Sequence, residues 1–158
     1  MNKKKFIAHA KNVIDLEIKA LQKLKKNLNS SFGEAVNQIS RCQSKVILCG
    51  VGKSGLIASK IAATFASVGT PAFNLSASEA SHGDLGMIDN SDIVIMISNS
   101  GETQELVQMA HYCCRERLPI ILLTNQSKST IANLCTCIII ISIKLNYMSI
   151  RIARRYLN

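Results

Sequence analysis

Between residues 45 and 142 short apolar runs alternate with stretches whose apolar positions recur three or four residues apart. Runs rich in Ile, Val and Leu without polar alternation, at 46–49, 72–75, 93–97, 120–123 and 137–141, predict strands covered on both faces. Helical spacing predicts helices over 54–68 and 103–117 and a short one near 129–134, with a polar loop after 72–75. Strands separated by helices make a doubly wound α/β domain, a five-stranded parallel sheet in the order 2-1-3-4-5. Upstream, Phe6, Ala10, Val13, Ile14, Leu21, Leu24 and Leu28 recur at helical spacing among lysines, which predicts one amphipathic helix over 4–28. Ser31-Phe32-Gly33-Glu34 reads as a capping box opening a second helix through Ile39. The organisation expected is a helical lead-in over 1–44, the α/β domain over 45–142 and a basic tail over 143–158.

In such a sheet ligands bind beyond the carboxyl ends of the strands where the strand order reverses, here between the first and third strands. Those two strands run into the most polar loops of the chain. One is Gly50-Val51-Gly52-Lys53-Ser54-Gly55; the other is Ser98-Asn99-Ser100-Gly101-Glu102-Thr103. Glycines let a backbone approach an anion closely, and a helix starting at the loop adds unpaired N–H groups and a positive dipole end. A phosphate is the guest that suits both. The Walker A pattern is excluded, because Ile47 stands where its first glycine is required. Gly50-x-Gly52-x-x-Gly55 matches the dinucleotide fingerprint, but the second strand leads to Ser76-Ala77-Ser78, with Glu79 the nearest acid, rather than to a ribose clamp.

The net charge of +9 first suggests nucleic acid, yet its distribution changes that picture. Residues 1–44 carry nine basic and three acidic groups, 45–142 carry six and seven, and 143–158 carry four and none. The centre is near neutral, and with four Phe, three Tyr and no Trp there is no basic surface interleaved with stacking aromatics. Neither a nucleic-acid partner nor a membrane is expected: the run 137–141 is far short of the ~20 residues of a spanning helix, and charges at Lys11, Asp15 and Glu17 break any leader-like stretch. A cytoplasmic protein follows. The six cysteines lack C-x-x-C spacing and read as buried reduced thiols; Cys135, Cys137 and His111 make only a weak zinc set. No metal and no cofactor is expected.

Several segments together carry a family resemblance: Gly-Val-Gly-Lys-Ser-Gly at 50–55, Ala-Ala-Thr-Phe-Ala-Ser at 62–67, Gly-Thr-Pro at 69–71, Glu-Ala-Ser-His-Gly-Asp-Leu-Gly-Met at 79–87 and Ser-Asn-Ser-Gly-Glu-Thr at 98–103. From about 45 to 135 the chain resembles the sugar isomerase (SIS) domain, and within it the branch that interconverts D-arabinose 5-phosphate and D-ribulose 5-phosphate for lipopolysaccharide synthesis. The resemblance implies that a phosphorylated sugar is held by Gly52, Ser54, Gly55, Ser98, Asn99, Ser100 and Thr103. It implies catalytic roles for Lys53, His82 and Glu105, in a homo-oligomer where His82 serves a neighbouring subunit's site. Taken without it, Lys53 also fits a solvated loop lysine, Glu105 a group favouring a helix N-terminus, and His82 a cap on the polar loop 76–84. Beyond its fifth strand the family carries a further glutamate and histidine, whereas this chain reads on from Ser142 into basic sequence without them. The expectation is a truncated domain of impaired catalysis, with a non-catalytic sugar-phosphate-binding regulatory module or a degraded gene product as the alternative.

Overall fold

A computed structural model describes residues 3–80 and 84–141. The order of elements is α1 (Lys3–Asn27), α2 (Ser30–Ser40), β1 (Val46–Gly50), α3 (Lys53–Ser67), β2 (Ala72–Ser76), α4 (Ala77–Ala80), β3 (Ile93–Ile97), α5 (Gln104–Arg115), β4 (Ile120–Thr124) and β5 (Cys137–Ile140), with 3-10 turns at Asp84–Met87 and Ala132–Leu134. The chain divides into two compact units, one spanning Leu28–Ile141 and one containing α1. In the α1 unit the helix runs for 25 residues and carries exposed Ile7, Ile14, Ile18 and Leu21. The tail over 143–158 lies outside the described residues.

The larger unit holds one all-parallel sheet in the order β2-β1-β3-β4-β5, as the alternation of elements predicts. Its strands lack polar alternation because each faces two cores. Ile47 and Cys49 of β1, Val94 and Met96 of β3, and Ile120 and Leu122 of β4 pack with Leu106, Met109, Ala110 and Cys113 of α5. Val46, Leu48, Ile93, Ile95, Ile97 and Ile121, pointing the other way, pack with Ala35 of α2 and Ala58 and Ala62 of α3. Full burial of each such aliphatic side chain contributes about 1.5–3 kcal/mol, so the central strands anchor the unit. The edge strands depart from the expectation of full cover: β2 is largely half-buried, as is β5 from Ile138 to Ile140.

Three local readings need correction. The cap of α2 is not Ser31 but Asn29, whose extended backbone (φ −138°, ψ −166°) lets its side-chain oxygen accept from the Ser31 amide at 3.0 Å. Asn caps as well as Ser, and with only Leu28 and Asn29 between the two helices the second starts two residues early. Glu34 is left to pair with Gln38 Nε2 one turn on, at 3.4 Å. The segment after β2 is not only a loop, since Ala77–Ala80 is helical. Helix α5 stops at Arg115, short of 117, because Arg117 takes a left-handed φ of 59° and Leu118 N turns back to Cys113 O at 2.8 Å.

At the amino ends of the central strands the buried carboxylate of Asp92 holds the sheet's entry. It accepts from Lys45 Nζ at 2.8 Å, from Lys45 N at 3.3 Å and from Asp89 N at 2.7 Å. Burial by itself raises the Asp92 pKa, but these hydrogen bonds and one from Ser44 outweigh it and hold the group below its ordinary value. A depressed folded pKa stabilises fully above the unfolded value near ~3.9 and loses that contribution as pH falls through the folded value. Asp92→Asn is therefore expected to cost about 1–3 kcal/mol at neutral pH. Urea unfolding at pH 7 and at pH 3 checks this, with the gap between parent and variant narrowing at the lower pH.

Candidate functional site

Where β1 and β3 end, Gly50 and Ile97 are register partners, so the chains leaving them start one strand spacing apart, about 4.8 Å. They then part. Helix α3 packs on the face that holds Ala58 and Ala62, and α5 on the opposite face. In doubly wound sheets such a divergence is where a ligand crevice forms, here between the two loops.

On the β1 side the glycine-rich stretch is tighter than a six-residue loop. Gly50 still belongs to the strand, α3 already begins at Lys53, and only Val51 and Gly52 turn between them. Gly52 makes that turn with φ 57° and ψ −123°, a region open to glycine. Gly50 and Gly55 serve a different end: a Cβ on Gly50 would lie 2.5 Å from the Ser54 carbonyl carbon and 2.7 Å from the Gly55 N, and one on Gly55 would lie 2.8 Å from Gly50 O. Strand end and first helical turn thus touch backbone to backbone. The packing sets Ser54, half-buried, in the first turn of α3 and leaves Lys53 exposed beside it.

The β3 side is built by internal hydroxyls. Ser98 is buried; its Oγ accepts from Gly101 N at 3.0 Å and pairs with Thr103 Oγ1 at 3.0 Å. Ser100 is exposed and its Oγ accepts from Glu102 N at 3.2 Å. Asn99 is exposed too, while its carbonyl is taken by Thr124 Oγ1 at 3.3 Å and Asn125 N at 3.2 Å. Thr103 is the cap residue of α5 yet makes no side-chain cap bond, its hydroxyl being turned to Ser98. Gly52, the cap residue of α3, has no side chain to cap with. Both helices that wall the crevice therefore start without a side-chain cap, in contrast to α2. Glu105 sits half-buried in the first turn of α5.

The fold thus gathers Gly52, Lys53, Ser54 and Gly55 at the end of β1, and Ser98, Asn99, Ser100, Thr103 and Glu105 at the end of β3. His82 lies outside the described residues. Sequence reasoning missed the second layer. Thr124 and Ser129, both buried hydroxyl residues, and the backbone at Thr130 and Ile131 support the 98–103 loop from behind. Their signal was a polar cluster, Thr124-Asn125-Gln126-Ser127-Lys128-Ser129-Thr130, directly after a buried strand. The Glu102 carboxyl is held below its usual range, first by the Thr130 N–H and then by the Thr130 hydroxyl.

The thiols are mostly packing groups. Burial pushes Cys113 and Cys135 up to about 12 and Cys49 higher still, so they stay protonated. Cys114 departs from the buried pattern and is exposed. Cys137 Sγ accepts from Gln38 Nε2 at 3.4 Å, Cys135 Sγ donates to Ile131 O at 2.9 Å, and His111 is exposed on α5. Among the described residues no helix is long and apolar enough to cross a membrane.

Residues 39–153 match the model of the SIS domain. The chain belongs to the SIS domain family. That match starts before Lys45 and runs past Ser142, wider than the span the motifs alone marked. The chain is 47% identical over 120 residues to the arabinose 5-phosphate isomerase KdsD of Yersinia pestis, covering 76% of this chain and 37% of that protein. It is 46% identical over 123 residues to an uncharacterized protein of Rickettsia prowazekii, covering 78% and 39%. Among solved structures, the c3406 protein of Escherichia coli CFT073 in complex with arabinose 5-phosphate superposes with a TM-score of 0.85 at 40% identity, covering 91% of this chain and 77% of that one. The chain spans under two fifths of the length of both curated relatives.

The glycine contacts of this SIS domain give a direct test. Gly50→Ala is expected to destabilise by about 1–3 kcal/mol, because the clash is with backbone that cannot rotate away. Gly33→Ala, in α2 with nothing within 4 Å of the added Cβ, is expected to stabilise by about 0.4–1 kcal/mol. Urea unfolding of both variants checks the contrast.

Proposed function

We propose that this SIS domain binds a phosphorylated sugar of the arabinose 5-phosphate and ribulose 5-phosphate type at the switch-point crevice. The observation that carries the reading is the pair of helix N-termini, α3 and α5, that leave adjacent strands on opposite faces with no side-chain cap. Orphan N–H groups and two positive dipole ends suit a phosphate. Ser54 and Ser100, with Gly52, Gly55, Asn99 and Thr103 around them, supply hydroxyl and backbone donors, and Ser98 shapes the loop from within. Further support comes from relatives named arabinose 5-phosphate isomerase and from the structural neighbour's complex with arabinose 5-phosphate.

Aldose–ketose isomerisation moves a proton between C1 and C2 through an enediol, which needs a base near those carbons and a donor for the oxygen that gains charge. In this reading Glu105 and His82 take the acid–base steps, and Lys53 stabilises the enediolate or holds the phosphate. His82 acts on a neighbouring copy in a homo-oligomer, and the work is cytoplasmic, on the way to lipopolysaccharide.

Calorimetric titration tests binding. Arabinose 5-phosphate should bind while arabinose does not. Ser54→Ala and Ser100→Ala should each weaken binding by about tenfold or more, since a hydrogen bond to a charged group is worth about 1.5–3 kcal/mol. Equal binding by the double variant and the parent would place the site elsewhere. Turnover of ribulose 5-phosphate by these 158 residues alone should be weak or nil: the family's further glutamate and histidine have no counterpart in them, and each positioned acid–base group contributes about 10²–10⁴-fold. Turnover equal to that of a longer relative, lost on Glu105→Gln, would overturn the weak-catalysis part of the proposal.

A further inference from the structure

We propose that Glu102 is a positioning residue, its carboxylate strapping the 98–103 loop to the 129–131 backbone so that Ser100 and the start of α5 are held ready for the phosphate. The inference rests on the sugar-phosphate reading above but names a residue and a supporting segment to which that reading gives no part.

Glu102 stands two residues from Ser100, inside a loop assigned to an anion, where a free carboxylate would repel the ligand. Its side chain is tied instead to the backbone across the crevice wall, Oε1 accepting from Thr130 N at 2.8 Å. Neighbouring bonds run in parallel. Ile131 N donates to Gly101 O at 3.2 Å, and Asn125 N to Asn99 O at 3.2 Å. Gly101, at φ 67°, lies so close to Ser129 that a Cβ there would run into that side chain. Ser129 Oγ in turn accepts from Ala132 N at 3.2 Å, which fixes the supporting turn. In this set Glu102 provides the one charged side chain; it is exposed, so solvent screens most of the advantage of its charge and the acceptor itself carries the contact. Its amide also donates to Ser100 Oγ, so Glu102 governs the Ser100 hydroxyl through its backbone and the loop through its side chain.

The test separates the hydrogen bond from the charge. Glu102→Gln keeps an acceptor for Thr130 N; Glu102→Ala removes it. Titration of the 158-residue chain with arabinose 5-phosphate is expected to give a Kd for the Gln variant within about threefold of the parent and for the Ala variant about tenfold weaker. Hydrogen–deuterium exchange without ligand should show the Thr130 amide exchanging at least about tenfold faster in the Ala variant, with β1 and β3 unchanged. Equal weakening by Gln and Ala, or an Ala variant that binds like the parent, would overturn the strap. So would an unchanged Thr130 exchange rate. Because the exchange measurement needs no sugar, a parent that binds no sugar phosphate would sink the functional reading while exchange still decides the strap.

Discussion

β1 and β3 lie side by side, buried on both faces, and the helices that follow them leave on opposite sides. The place where the two loops meet follows from that arrangement. Parallel strands point their carboxyl ends the same way, so the two loops start together. The alternation of side chains into two cores then forces the departing helices apart, since α3 must cover Val46 and Leu48 while α5 covers Ile47 and Cys49. The central pair cannot shift register by one residue without exchanging its two cores, so the position of the crevice is as firm as the hydrophobic packing beneath it.

The two walls reach similar ends by different means. The β1 wall is formed by subtraction: glycines at 50 and 55 let strand end and helix start meet backbone to backbone, which brings the first amides of α3 to the rim. The β3 wall is formed by hydroxyls turned inward, Ser98 to Gly101 N and Thr103, with Thr124 and Ser129 beneath. A wall of the second kind depends on its support, because each inward hydroxyl replaces water that the loop backbone would otherwise need.

Charge acts locally in this molecule. The formal +9 resides in the terminal segments, while 45–142 is near neutral, so in the proposed reading a phosphate would be drawn by helix ends and Lys53 rather than by a general field. Helix-end effects fade within a turn. Placement of the loop donors to within fractions of an ångström therefore matters more here than net charge, and a carboxylate as close as that of Glu102 is tolerable where it is tied to Thr130 N.

The sequence by itself determined the strands, their parallel order and both crevice loops, because those signals are local: apolar runs without alternation, helical spacing, and glycines beside a helix start. Motifs at family spacing also marked Gly52, Ser54, Ser98, Ser100 and Thr103 as a group. Local competition escaped it at α2, where Asn29 caps ahead of Ser31. Only the tertiary structure decided which hydroxyls face the crevice and which brace it, turning Ser98 inward and leaving Ser100 exposed. It also decided that Asp92 clips Lys45 and that Glu102 ties to Thr130, bonds between residues 47 and 28 positions apart. The physical reason is that a polar side chain's partner is set by what folding brings within about 3 Å of it, and for these residues that neighbour comes from another strand or loop.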